Sequence, residues 1–272
     1  MAARDALVAA AARFGFSATP RLDAELLLAH ALDISRERLL LTLSDQAVPP
    51  AFADLVERRA RHEPIAYITG TRAFWTIDLK VGPGVLVPRA DSETLLEAAV
   101  AHFAGTSGPR TILDLGTGPG TLLLAALDQW PNATGLGVDA SSQALDYARR
   151  NAAALGLADR ARLEMGNWLA DRDAGFDLIL CNPPYIAADA ALPPEVSAYE
   201  PAEALFAGAD GLDAYRVLAP QIARALASGG VACIEIGHDQ GESAAGLFRV
   251  EGFSLELRRD LAGRDRCLVA TA

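Results

Sequence analysis

The sequence predicts an α/β fold, a doubly wound and mostly parallel sheet of seven strands preceded by a small all-helical domain. Three observations carry this expectation. Up to about Gly70 the apolar residues recur at three- and four-residue steps. Beyond Gly108 short apolar runs alternate with helical stretches. Of the 272 residues, 51% are apolar, enough to bury one large core or two moderate ones.

In the first part, Leu22, Leu26, Ala29 and Leu32 mark one helix face, which Thr19-Pro20 opens as a cap with an N1 proline and Asp33 closes. Ile34 to Leu43 and Ala51 to His62 give two further amphipathic helices, separated by Val48-Pro49-Pro50. Residues 1–72 therefore read as a helical bundle, either a packed cap or a docking surface for a macromolecular substrate. Phe74 to Val81 alternates as a strand, Gly82-Pro83-Gly84 turns it, and Val85 to Val87 returns, so a linking β-hairpin is expected over 73–88. Pro88-Arg89-Ala90-Asp91 then opens a helix to about Phe103 with Asp91 as its cap, and the second domain spans 89–272.

Within that domain strands are expected at Thr111 to Leu115, Thr134 to Val138, Ala161 to Met165, Phe176 to Cys181 and Val231 to Ile236. Helices fall between them at Thr121 to Gln129, Ser141 to Leu155 and Asp213 to Leu226. Such repeats build a parallel sheet that binds ligands at the carboxyl ends of its strands. Phe253 to Arg258 and Arg266 to Thr271 have no room for a crossover helix between them, so they pair antiparallel at an edge.

Composition excludes several classes. A net charge of −11 disfavours long nucleic acids, whose binding calls for clustered cations, so no direct nucleic-acid contact is expected. No apolar run reaches the roughly 18 residues of a membrane span, and the start lacks the order of a signal peptide, which points to the cytoplasm. Cys181, Cys233 and Cys267 are odd in number, far apart and set in apolar runs, as reduced core thiols are. With four scattered histidines they suggest no metal site.

Asp114-Leu115-Gly116-Thr117-Gly118-Pro119-Gly120 sits where the first strand of the sheet meets its helix. Its glycines allow close approach of a ligand, and the helix N-terminus attracts anions. Thr121 stands where a dinucleotide loop needs its third glycine. Asp114 also disfavours pyrophosphate and favours an ammonium or sulfonium. Asp139 ends the second strand, where a carboxylate holds ribose hydroxyls or caps the next helix. Gly166-Asn167-Trp168 after the third strand offers an amide and an indole for a base, although Trp168 also suits a core.

The fourth strand stops at Asn182-Pro183-Pro184-Tyr185, because each proline removes a donor and fixes φ. This is a turn, or it is chemistry. The Asn182 side-chain carbonyl and the Pro183 backbone carbonyl are the two acceptors a planar –NH2 group needs. Holding both hydrogens aims the nitrogen lone pair at an electrophilic methyl, and Tyr185 packs on the planar group. Geometry of this kind lowers a barrier by several kcal/mol, up to about 7–11 in ideal cases.

With these residues, Tyr199-Glu200-Pro201, Gly208, Asp210-Gly211-Leu212, Glu235-Ile236-Gly237, Gln240 and Asp260 to Arg266 resemble the peptide chain release factor glutamine methyltransferases, and the resemblance covers nearly the whole chain. It implies a class I methyltransferase fold and transfer of a methyl group from S-adenosylmethionine, leaving S-adenosylhomocysteine. The acceptor it implies is the glutamine N5 in the Gly-Gly-Gln loop of release factors 1 and 2. Carried over by position, Gly116 to Gly120 line the methionine part of the cofactor, with Asp114 beside them, Asp139 the ribose and Trp168 the adenine, while Asn182 to Tyr185 receive the glutamine amide. Asn182 then borders cofactor and acceptor alike. The chain departs from the family at Ala90-Asp91-Ser92, usually Pro-Glu-Thr, at Asn167, usually Asp, and at Ser228, usually Pro. Rival readings are a glutamine methyltransferase of a ribosomal large-subunit protein, an adenine-N6 nucleic-acid methyltransferase, and a cofactor-binding protein without chemistry.

Overall fold

A computed structural model describes residues 2–169 and 175–272, and the chain divides between Thr71 and Arg72 into two units. The first comprises Met1–Thr71 and takes in a later segment, Leu192–Tyr199; the second holds Arg72–Ala191 and Glu200–Ala272. Nothing in the hydrophobic pattern had assigned 192–199 to the helical part.

The first unit contains the helices Ala3–Ala12, Pro20–Ala31, Arg36–Leu41, Ala51–Ala60 and Ile65–Thr69. Pro20 occupies N1, but Thr19 makes no backbone cap; its Oγ1 donates to Asp23 Oδ1 at 3.2 Å. Asp33, just past the helix end, takes a left-handed φ of 53°. Leu7, Phe14, Leu27, Leu28 and Leu39 form the dry centre. Beside it the buried Arg59 donates from Nε to Asp23 at 2.9 Å and from Nη1 to Glu195 at 2.8 Å, so one guanidinium ties the late segment to two early helices. Tyr199 adds a bond from its hydroxyl to the Arg61 carbonyl at 2.9 Å.

Ser35 caps Arg36–Leu41 by accepting from Arg38 N at 3.2 Å. A six-residue helix has little stability of its own, so Ser35→Ala is expected to cost the unit about 1 kcal/mol. Chemical denaturation followed by circular dichroism would measure it.

In the second unit the hairpin is displaced from its predicted position. It pairs β1 (Thr71–Phe74) with β2 (Ile77–Lys80), and residues 82–87 are not a strand. The buried Phe74 and Ile77 lie an odd step apart, which breaks the two-residue alternation at Trp75-Thr76 and places the turn there. Trp75 accepts a φ of 55° because its N–H is held by Glu93 Oε1 at 2.9 Å, while Thr76 Oγ1 donates to Asp128 at 2.6 Å. Asp91 does not cap the following helix, which runs Glu93–His102 after a 3-10 turn; it pairs instead with Arg266 at 3.4 Å.

Seven strands form the main sheet: β3 (Thr111–Leu115), β4 (Thr134–Asp139), β5 (Ala161–Met165), β6 (Phe176–Cys181), β7 (Leu226–Glu235), β8 (Ser254–Arg259) and β9 (Asp265–Thr271). Their order is β5-β4-β3-β6-β7-β9-β8, parallel from β5 to β7 and antiparallel through β9 and β8, the doubly wound arrangement expected. Helix Gly241–Val250, for which no expectation was stated above, links β7 to β8. Cys181, Cys233 and Cys267 are free and buried. No described helix is long and apolar enough to cross a membrane.

Candidate active site

The chain winds from β3 outward to β5 and then crosses back to β6 on the other side of β3. Doubly wound sheets open a crevice at the carboxyl ends of such strands. Register fixes what meets there. Leu115 pairs with Val138 on one side and with Cys181 on the other, and Cys181 pairs with Ile234. Gly116, Asp139, Asn182 and Glu235 are therefore the next residues of four adjacent strands, at one level. The first three border a cavity of about 630 Å³ lined by Asp114, Gly116 to Pro119, Asp139, Trp168, Asn182 and Pro184, joined by Arg89 and Ser92; Glu235 lies buried behind Ser92.

The glycine loop is held from below. Gly116 and Thr117 both donate their N–H to the Val138 carbonyl, at 2.9 and 3.0 Å, and Gly116, Gly118 and Gly120 all take left-handed φ. Gly120 does not line the cavity; it caps helix Thr121–Gln129, and a Cβ there would meet Leu124 at 2.7 Å. Asp114 is 1% exposed. Its Oδ2 accepts from Thr117 Oγ1 at 2.7 Å and from Leu123 N at 3.1 Å, whereas Oδ1 has no partner. Burial, with Asp139 nearby, lifts this carboxyl to about 7. A buried acid with one oxygen unmatched is suited to a cationic ligand.

Asp139 is not the cap of helix Ser142–Ala154; Ser141 does that by accepting from Ala144 N at 3.2 Å. The two oxygens of Asp139 accept one backbone N–H each, from Ser141 and from Gly118, both at 2.8 Å. One lone pair on each oxygen stays available for a pair of hydroxyls. Trp168 is half-buried with a φ of 57°, a conformation expensive for an aromatic residue, and stands beside Gly116. Gly166 and Asn167 line the same wall.

At the corner, Asn182 Nδ2 donates to Ser92 Oγ at 3.2 Å, and Ser92 Oγ donates to Glu235 Oε2 at 2.5 Å. With its nitrogen so engaged, Asn182 keeps Oδ1 as an acceptor. Pro183 is buried, and Pro184 faces the cavity. Tyr185 is not among the lining residues; its hydroxyl donates to Glu235 Oε1 at 3.1 Å, and burial raises that hydroxyl well above the ordinary phenol range.

Residues that the sequence singled out without a role hold this corner in place. Gln240 Nε2 donates to the Tyr185 carbonyl at 2.9 Å, and its Oε1 accepts from Gly237 N at 3.1 Å. Glu200 accepts from Arg89 Nη2 at 2.6 Å. Asp260 Oδ1 accepts from Ala262 N and Arg264 N to close the turn between β8 and β9. At Gly211, with φ 73°, an added Cβ would stand 2.3 Å from the Tyr185 carbonyl oxygen. Gly211→Ala is expected to destabilise the unit by about 1–2 kcal/mol and to slow turnover by displacing that carbonyl. Scanning calorimetry with initial rates would check both.

Sequence reasoning missed Ser92, Arg89 and the use of Glu235. One signal was present: Glu235 closes Val231-Ala232-Cys233-Ile234, and a carboxylate ending a fully apolar strand is buried only where partners wait for it. A lone serine gives no such signal.

Residues 5–70 match a family profile described as the PrmC N-terminal domain, and residues 108–244 match one described as a methyltransferase domain. A release factor glutamine methyltransferase of Rhodospirillum rubrum is 48% identical over 258 residues, covering 92% of this chain and 78% of that protein. Another, of Cereibacter sphaeroides, is 44% identical over 280 residues, covering 99% of this chain and 98% of that protein. Among solved structures, ribosomal protein L11 methylase from Lactobacillus delbrueckii subsp. bulgaricus superposes with a TM-score of 0.52 at 25% identity, covering 71% of this chain and 84% of that one.

Proposed function

Because the chain belongs to the release factor glutamine methyltransferases, we propose that it methylates the side-chain amide nitrogen, N5, of the glutamine in the Gly-Gly-Gln loop of bacterial class 1 release factors, with S-adenosylmethionine as donor. The observation that carries this reading is the Asn182 amide. Its nitrogen is tied to Ser92, so an acceptor oxygen is left at the level of the glycine loop.

When bound, the cofactor supplies an electrophilic methyl group on a sulfonium. Everything else falls to the chain. The unmatched Asp114 Oδ1 takes the ammonium of the methionine part, and Asp139 takes the ribose hydroxyls on its remaining lone pairs. Trp168, with Asn167 and Gly166, packs the adenine. The amide in place of the usual carboxylate at Asn167 alters an edge contact to the base and leaves the transfer position untouched.

Asn182 Oδ1 and the Pro183 carbonyl accept the two hydrogens of the glutamine –NH2. That grip fixes the orientation of the amide plane and with it the direction of the nitrogen lone pair, which lies normal to that plane. No strong base is needed, because the nitrogen sheds its proton after it has been alkylated. Tyr185, anchored through its hydroxyl to Glu235 and through its carbonyl to Gln240, fixes the far side of the clamp. The helical domain, expected over residues 1–72, docks the release factor.

Purified protein incubated with methyl-labelled cofactor is expected to label release factors 1 and 2 and not a release factor whose Gly-Gly-Gln glutamine is replaced by alanine. Label entering only a ribosomal large-subunit protein, or only adenine in nucleic acid, would overturn the assignment.

A further inference from the structure

Glu235 sits at the end of β7, 1% exposed, and two hydroxyls converge on it from different elements: Ser92 at 2.5 Å and Tyr185 at 3.1 Å. Both arms of the acceptor corner therefore end on one carboxyl group. A carboxylate only accepts, so while it is ionised both hydroxyls must donate to it. Ser92 has a single proton. Once that proton faces Glu235, Ser92 offers Asn182 nothing but lone pairs, and only the Nδ2 side of the Asn182 amide satisfies them.

We propose that Glu235 is a positioning residue that, through the Ser92 hydroxyl, decides which end of the Asn182 amide meets the acceptor: the ionised carboxylate presents Oδ1, and the protonated acid reverses the relay. In the reversed chain Glu235 donates to Ser92, Ser92 is free to donate to Asn182, and the amide turns its Nδ2 toward the acceptor. Two –NH2 groups then face each other, and the clamp is lost. This rests on the reading of the acceptor as an amide –NH2.

The surroundings favour the protonated form of Glu235 over that of a free carboxyl group. Burial raises the Glu235 carboxyl above its ordinary value, against the lowering pull of the Ser92 hydrogen bond, Arg266 and Tyr185, and Asp91 adds to the rise. The other groups facing it are Cys181 on β6, Cys267 opposite it on β9, and Tyr215, whose hydroxyl donates to the Glu235 backbone carbonyl at 3.1 Å.

The test has an arm independent of substrate. The chain has only four asparagines, so selective nitrogen-15 labelling gives four side-chain amide pairs, and Asn182→Ala identifies the one that matters. In the native chain the Asn182 amide resonances are expected to move through a single step as pH falls. That step disappears in Glu235→Gln and in Ser92→Ala, and it returns in Ser92→Thr, which keeps the hydroxyl. A flat response in the native chain, or the same step in Ser92→Ala, overturns the relay.

The second arm is kinetic. Glu235→Gln is expected to lower kcat by about 10–100-fold. It should also remove the acid limb of the native kcat profile, while the Kd for S-adenosylhomocysteine changes by less than about threefold. A native acid limb that persists unchanged in both Glu235→Gln and Ser92→Ala would overturn the proposal. Failure of the native chain to methylate a release factor would instead strike the proposed substrate and leave the resonance test standing.

Discussion

Asn182→Ala is expected to lower kcat by about 10²–10³-fold, equivalent to about 3–4 kcal/mol of transition-state stabilisation, while cofactor affinity changes only slightly. The asymmetry follows from what the side chain touches. Its Nδ2 is consumed by Ser92, and its Oδ1 is the part left to grip the acceptor. The cofactor-side polar groups sit on other strands, Asp114 on β3 and Asp139 on β4. Alanine keeps the backbone that leads into Pro183, so the second acceptor survives and some turnover remains. Single-turnover rates with a Gly-Gly-Gln substrate, set beside calorimetric binding of S-adenosylhomocysteine, separate the two effects. Unchanged turnover with intact cofactor binding would refute the clamp. Asn182→Asp is a sharper variant, since a carboxylate cannot donate to Ser92 and would compete with Glu235 for the one hydroxyl proton.

The alternating strands and helices of the second unit were legible because the central parallel strands are apolar runs closed by a change of period, and the edge strand β5 alternates apolar with charged residues. The five parallel strands and the antiparallel pair lie where the pattern puts them to within one residue, except β7, which begins five residues before the expected Val231. The hairpin was misplaced because Gly82-Pro83-Gly84 is a stronger turn signal than Trp75-Thr76. The observed turn depends on Glu93 and Asp128, distant residues that no local propensity includes. The glycine loop, Asp139 and Asn182 could be found from strand ends alone, as each begins just past the last position at which β3 pairs with a neighbouring strand. Ser92 and Gln240 could not be assigned roles in this way. Their work is to hold the Asn182 side chain and the Tyr185 carbonyl across 90 and 55 residues of sequence, and only the folded register brings them there. Segment 192–199 escaped notice for the same reason, since its hold on the first unit comes from Glu195 and Tyr199 contacts.

Asp114→Asn is expected to make the protein more stable at pH 8 and at the same time weaken its hold on the cofactor by about 10²-fold. The folded-state carboxyl titrates at about 7, against about 4 in an unfolded chain, because burial and the neighbouring Asp139 both oppose its charge. Between those values the folded state holds a proton that the unfolded state has released. Stability therefore falls as pH rises through this window, and above about 7 the full cost of keeping the carboxylate is present, up to about 4 kcal/mol. Asparagine removes the charge and with it the cost, so thermal unfolding at pH 8 should move upward, whereas near pH 4 the two proteins should differ little. Binding runs the other way. A ligand ammonium beside the unmatched Oδ1 stabilises the ionised form, so below about 7 binding must release a proton and affinity falls by up to tenfold per pH unit, while above 7 it levels off. The asparagine variant should show a flat profile, with a deficit at pH 8 of about 3 kcal/mol for losing one partner of a buried charge pair. Calorimetric titration with S-adenosylhomocysteine in buffers of different ionisation enthalpy measures affinity and proton release together. Stability and affinity moving in the same direction in this variant would show that Asp114 only supports the loop and does not face the ligand.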